Sequence, residues 1–198
     1  TNISIEQFGS IKESIEGVAV ELIGIDTLSH DLALIYPHIA KDELGIQIDT
    51  NQFFDVEDFV KAYDANGINA PLDCEFLHRE SEISETYNSV NDNKVTILTG
   101  PSGIGKTRLA LEVCRKKDEE EVKVYCIKSN GNLLYEDIKY YISDPGKYLI
   151  FFDDANMVAS LDNVLNTILT LSGDYEVKVL ITVRDYARDR VISSVSKY

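Results

Sequence analysis

The last two thirds of the chain alternate short apolar runs with longer amphipathic stretches. Val95–Thr99, Val122–Ile127, Tyr148–Asp153 and Val177–Val183 are rich in β-branched and aromatic residues and have the length of buried strands. Between them, Lys106–Lys116, Leu133–Ile142 and Val158–Leu171 carry apolar residues at helical spacing, and a last helix is expected after Arg184. Strands alternating with helices of this length make βαβ units. Residues 76–198 are therefore expected to form an α/β domain, a parallel sheet with helices on both faces.

The first third has a different pattern. Ile11, Ile15, Val18 and Leu22 predict a helix from Glu6 to Ile23, punctuated by Gly9, Gly17 and Gly24. Leu28, Leu32 and Ile35 predict a second, short helix ending before Pro37. Asp55 can cap a third, Val56 to Tyr63, with Phe59, Val60 and Tyr63 as its apolar residues. Residues 65–72 are rich in turn formers and read as a linker, so a small, mainly helical segment (1–72) is expected ahead of the α/β domain (76–198).

Charge separates the same two parts. Of a net charge of −15, residues 1–75 contribute fifteen acidic groups against three lysines and no arginine. That surface repels polyanions, which argues against direct binding of nucleic acid or an anionic membrane there; a solvated acidic face is the simpler reading. No apolar run reaches the length of a bilayer span, and there is no repeat or low-complexity tract. Cys74, Cys114 and Cys126 have no metal-ligand or CxxC spacing. Cys114 and Cys126 sit among core-like residues; read as small buried hydrophobes of a reducing compartment, they point to the cytoplasm. His30, His38 and His78 show no ligand spacing, and Arg188 and Arg190 read as a solvated helix face.

The chemistry is concentrated at Gly100-Pro101-Ser102-Gly103-Ile104-Gly105-Lys106-Thr107, which fits G-x-x-x-x-G-K-[ST] between a predicted strand and a predicted helix. Glycines let the backbone approach phosphate oxygens, and successive amides converge on them at the helix N-terminus. Lys106 would reach the β/γ-phosphates and Thr107 would ligate Mg²⁺; Arg108 follows at the edge of the same phosphate site. The run Tyr148-Leu-Ile-Phe-Phe-Asp153-Asp154 ends a buried strand in two carboxylates. Asp153 suits the Mg²⁺ shell, and Asp154 could orient the attacking water or accept its proton; the alternative is that both simply cap the next helix. Lys178-Val-Leu-Ile-Thr182-Val-Arg184 brings a hydroxyl and a permanent cation to a strand end. Arg184 is read as a contact to the γ-phosphate, or else as a surface arginine paired with Asp185 or Asp189.

Together GPSGIGKT, LIFFDD and VLITVR resemble the STAND class of P-loop ATPases, which includes the NACHT and NB-ARC groups. Phe76-Leu-His-Arg79-Glu80-Ser-Glu82 is similar to that class's entry motif near adenine and ribose, with His78 where the class has glycine. The resemblance spans about residues 76–190. It implies a P-loop sheet with the arginine-bearing strand between the P-loop strand and the Asp-Asp strand, and Arg79 beside the base. It also implies an ATP/ADP and Mg²⁺ site, slow turnover, nucleotide-dependent homo-oligomerisation, and coupling to effector or sensor domains of a longer chain. Bacterial members of the class serve antiviral defence, and the runs around Asn156 and Tyr186 are similar to bacterial ones. The Asn-Lys-x-Asp pattern of guanine recognition is absent, which favours adenine. The chain starts at Thr1 and ends 14 residues after Arg184, so a segment of a longer protein with an incomplete adenine pocket is expected. A small-molecule phosphotransferase on the same loop and a catalytically idle binding module are the alternatives.

Overall fold

The computed structural model describes Gly9 and residues 23–46, 51–64, 78–131 and 134–198. The chain divides into two units, Thr1–Ile48 and Asp49–Tyr198. In the first, helices α1 (Ile25–Leu34) and α2 (Pro37–Leu44) match the short helix expected before Pro37 and add one after it. Apart from Gly9 and Ile23, the helix expected over Glu6–Ile23 lies outside the described residues, as does the expected linker at 65–72.

The second unit is built on a five-stranded sheet. Its strands are β1 (Phe53–Phe54), β2 (Val95–Gly100), β3 (Lys123–Ile127), β4 (Gly146–Phe152) and β5 (Tyr175–Arg184), in the order β1-β3-β4-β5-β2. The last four are parallel, and β5 lies between β2 and β4, the arrangement the resemblance implied. β1, which hydrophobic patterning did not predict, pairs antiparallel with β3 through Phe53↔Ile127 and Phe54↔Cys126.

Helices α3 (Val56–Asp64), α4 (Glu80–Asp92) and α5 (Lys106–Asp118) share one core with the sheet; α6 (Tyr135–Tyr141), α7 (Leu161–Leu169) and α8 (Arg188–Val195) share the other. Alternation along the strands divides the cores. Leu149 and Phe151 of β4 pack among the first group with Phe59, Leu111 and Leu180, while Tyr148, Ile150 and Phe152 pack among the second with Ile138, Leu165 and Ile181. This explains why β4 is nearly all apolar: both of its faces are covered.

The division between units differs from the boundary expected after residue 72. Residues 53–64 belong to the sheet: β1 extends its edge, and α3 buries Val56, Phe59 and Val60 against it. α3 starts as expected, with the Asp55 carboxylate accepting the Asp58 amide at 2.7 Å. Among the described residues, no helix is long and apolar enough to cross a membrane.

Candidate functional site

Connectivity creates the crevice. The neighbouring strands β2 and β5 leave the sheet toward opposite faces, β2 into α5 and β5 into α8. Such a switch point opens a gap at the carboxyl ends of the strands, and Gly100–Thr107 and Arg184 border it.

The loop from β2 to α5 takes its shape from two glycines in left-handed conformation, Gly103 (φ 80°) and Gly105 (φ 90°), the second being the N-cap of α5. Pro101, Ser102, Gly103 and Ile104 are exposed, and Gly105, Lys106, Thr107 and Arg108 are partly buried as the helix begins. The Lys106 ammonium folds back on the loop and donates to the carbonyls of Gly100 and Pro101, both at 2.8 Å. Arg79, at the N-cap of α4, donates from Nη1 to the Ile104 carbonyl at 2.9 Å.

A tight polar knot joins the loop helix to the strand ends. Thr107 Oγ1 donates to Asp153 Oδ1 at 2.8 Å, and the fully buried Thr182 donates to the same oxygen at 2.7 Å. Thr182 Oγ1 also accepts the Asp154 amide at 2.9 Å. One hydroxyl therefore positions both acids. Burial pushes the Asp153 carboxyl above the usual carboxylate range, the two threonine hydrogen bonds oppose that shift, and the charge of Asp154 adds to it.

Asp154 is held by two partners, Thr182 and Arg184. Its backbone is left-handed (φ 44°), a conformation that aspartate tolerates better than most residues but that still carries strain. Its amide is bound by Thr182, and its carboxylate takes two bonds from Arg184, Nη2 to Oδ2 at 2.8 Å and Nε to Oδ1 at 3.4 Å. A bidentate pair of this kind fixes the orientation of both groups. Arg184 thus pairs with neither Asp185 nor Asp189; Asp185 accepts instead from Thr99 Oγ1 at 3.0 Å.

The structure brings together Thr107, Asp153, Thr182, Asp154 and Arg184 in one hydrogen-bonded group, while Lys106 and Arg79 bond to backbone carbonyls of the loop. Sequence reasoning missed Tyr63, which it read only as an apolar helix residue. Burial pushes its phenol up, and the charges of Asp153 and Asp154 add to that while Arg184 opposes it. The Lys128 ammonium lies 5.7 Å from the Tyr63 ring centroid and donates to the Ala62 carbonyl at 2.9 Å. A polar residue near the end of a helix 37 residues before the loop motif carries no local signal.

Thr107 and Asp153 offer a hydroxyl and a carboxylate, the hard oxygen donors that suit Mg²⁺. Among the described residues there is no cluster of three or more His, Cys, Asp and Glu side chains. A magnesium ion here would depend on water and phosphate oxygens for the rest of its shell, as expected for a metal that arrives with a nucleotide.

The family model described as novel STAND NTPase 3 matches residues 77–194. Among solved structures, the chain is similar to a closed-state cryo-EM reconstruction of Hsp104 with ATPyS and FITC casein (16% identity, TM-score 0.49, 75% of this chain and 28% of that one). It is similar to the Aeropyrum pernix ORC2 protein in ADPNP and ADP complexes (16%, 0.44, 62% and 46%) and to a Thermotoga maritima RuvB mutant (16%, 0.33, 53% and 36%). The chain spans less than half the length of each of these. No curated protein matches it.

Proposed function

The chain belongs to the novel STAND NTPase 3 family, and on that premise we propose that it is the nucleotide-binding part of a signalling switch, which binds ATP with Mg²⁺ and hydrolyses it slowly. The observation that carries this reading is the Thr107–Asp153–Thr182 knot, which joins the loop helix to the strand end bearing Asp154 and Arg184. In this reading the amides of residues 102–107 cradle the phosphates, and Lys106 exchanges its bonds to the Gly100 and Pro101 carbonyls for phosphate oxygens. Thr107 and Asp153 would hold the metal, which when bound supplies charge neutralisation at the phosphates. Asp154 orients the attacking water and Arg184 senses the γ-phosphate.

The Asp154–Arg184 pair supports a switch rather than a high-flux enzyme. The arginine that would meet the γ-phosphate already has an anionic partner, so phosphate must compete for it. That competition is a differential contact between two states of the kind a switch requires. The acidic N-terminal unit, Thr1–Ile48, in the same proposal links the NTPase domain to effector or sensor parts of a longer cytoplasmic protein; assembly with ATP and a role in bacterial antiviral defence are the biological form of the reading.

Phosphate release from Mg·ATP tests it, followed for the wild type, Asp154→Asn and Arg184→Ala, with product ADP and any phosphorylated small molecule resolved in parallel. Slow release to water, lost by at least about tenfold in Asp154→Asn, supports the ATPase. Transfer to an added metabolite identifies a phosphotransferase instead, and binding without turnover in the wild type identifies an idle module.

A further inference from the structure

Arg79 makes a contact with the loop that the resemblance did not specify. Its guanidinium is engaged with the phosphate loop itself: Nη1 donates to the Ile104 carbonyl at 2.9 Å, and Nε lies 3.4 Å from Glu82 Oε1 on the other side. Ile104 lies between two residues of positive φ, Gly103 and Gly105, so the peptide planes beside it are those most free to turn. The peptide bonds are all trans among the described residues, and in a trans unit the carbonyl of one residue and the amide of the next point in opposite directions. Holding the Ile104 oxygen toward Arg79 therefore points the Gly105 N–H away from Arg79.

Gly105 also adjoins this contact. A Cβ built on it would touch Arg79 Nη1 at 3.4 Å, in addition to the strain of φ +90°.

We propose that Arg79 is a positioning residue for the phosphate cradle: by pinning the Ile104 carbonyl it turns the Gly105 amide toward bound phosphate, and it acts through the loop rather than by contact with the base. The proposal rests on the reading of this loop as a phosphate site. It predicts that Arg79 governs affinity for the phosphate part of a nucleotide whether or not a base is attached.

The test is calorimetric titration of pyrophosphate and of ADP, each with Mg²⁺, into the wild type, Arg79→Ala, Arg79→Lys and Lys106→Ala. Hydrogen exchange at the Gly105 amide is measured alongside in the ligand-free proteins. Arg79→Ala should weaken pyrophosphate and ADP by the same factor, about 5- to 20-fold for one charge-assisted hydrogen bond in a partly exposed setting. Arg79→Lys keeps a single donor and should recover part of that loss, which a general structural defect would not do. In Arg79→Ala the Gly105 amide should exchange faster with no ligand present.

A loss for ADP with pyrophosphate unchanged would overturn the proposal in favour of a base contact, as would unaltered exchange at Gly105. If the wild type and Lys106→Ala bind pyrophosphate equally, or neither binds it, the phosphate reading itself fails. The exchange arm then still decides whether Arg79 orders the loop.

Discussion

Replacing Thr182 by valine keeps the shape of the side chain and removes its hydroxyl, so it isolates the knot on which the site depends. Thr182 is fully buried; its hydroxyl donates to Asp153 at 2.7 Å and accepts the Asp154 amide at 2.9 Å. Losing a hydrogen bond to a carboxylate costs about 1.5–3 kcal/mol, and leaving a buried amide unpaired costs about 1–3 kcal/mol more. The added methyl returns about 1 kcal/mol. The net loss is about 1.5–5 kcal/mol, which for a chain of this size lowers the thermal midpoint by about 3–20 °C. Thr182→Ser keeps the hydroxyl and should lose no more than about 1–2 kcal/mol, from the missing methyl. Thermal unfolding of the three proteins at neutral pH checks this. A Thr182→Val midpoint within about 2 °C of the wild type, or one no lower than that of Thr182→Ser, would refute the claim that this hydroxyl holds the two acids.

Burial raises the Asp153 carboxyl, so the folded state holds its proton more tightly than the unfolded chain; the stability this adds is present at low pH and is lost as pH rises from about 3.9 through the raised value. Asp153→Asn cannot titrate, so its stability relative to the wild type should increase with pH across that interval and then level off; urea midpoints from pH 4 to 8 showing a decrease would contradict this. Gly105→Ala combines φ +90° with a Cβ 3.4 Å from Arg79 Nη1, and should lower the midpoint by about 3–6 °C and weaken pyrophosphate at least about tenfold; unchanged values of both would show that the loop tolerates a side chain. Cys114 and Cys126 are fully buried, and burial pushes the Cys126 thiol up. In Cys74→Ser neither should react with a thiol reagent until the protein unfolds, and stoichiometric labelling of the native protein would count against the core described.

The parts of the fold most legible in the sequence were those whose energetics are local. β4 is apolar on both faces because both are covered, and that shows as an unbroken run; α3 shows through its Asp55 cap and its close apolar residues. α4 leaves little mark on the pattern, because its thirteen residues bury no more than Ile83, Thr86 and Val90 and are mostly polar. β1 is two residues long and exists through its pairing with β3, so no window of sequence contains its cause. That pairing, with the docking of α3, also moves the division between units to Ile48/Asp49.

The candidate site divides in the same way. The loop, the paired acids and Arg184 lie within three contiguous runs and were legible as motifs. The partnerships were not. That Arg184 chooses Asp154 over Asp185 depends on strand order, and that Arg79 meets Ile104 depends on how α4 approaches the loop.

The most direct test of the nucleotide-switch account is a calorimetric titration of Mg·ATP and Mg·ADP into this chain, with Lys106→Ala and Arg184→Ala alongside. The account predicts that both nucleotides bind the wild type and that Lys106→Ala abolishes or severely weakens both. It also predicts that Arg184→Ala narrows the difference between ATP and ADP, because that residue meets only the γ-phosphate. Equal binding to the wild type and Lys106→Ala, or an ATP/ADP ratio untouched by Arg184→Ala, would contradict it.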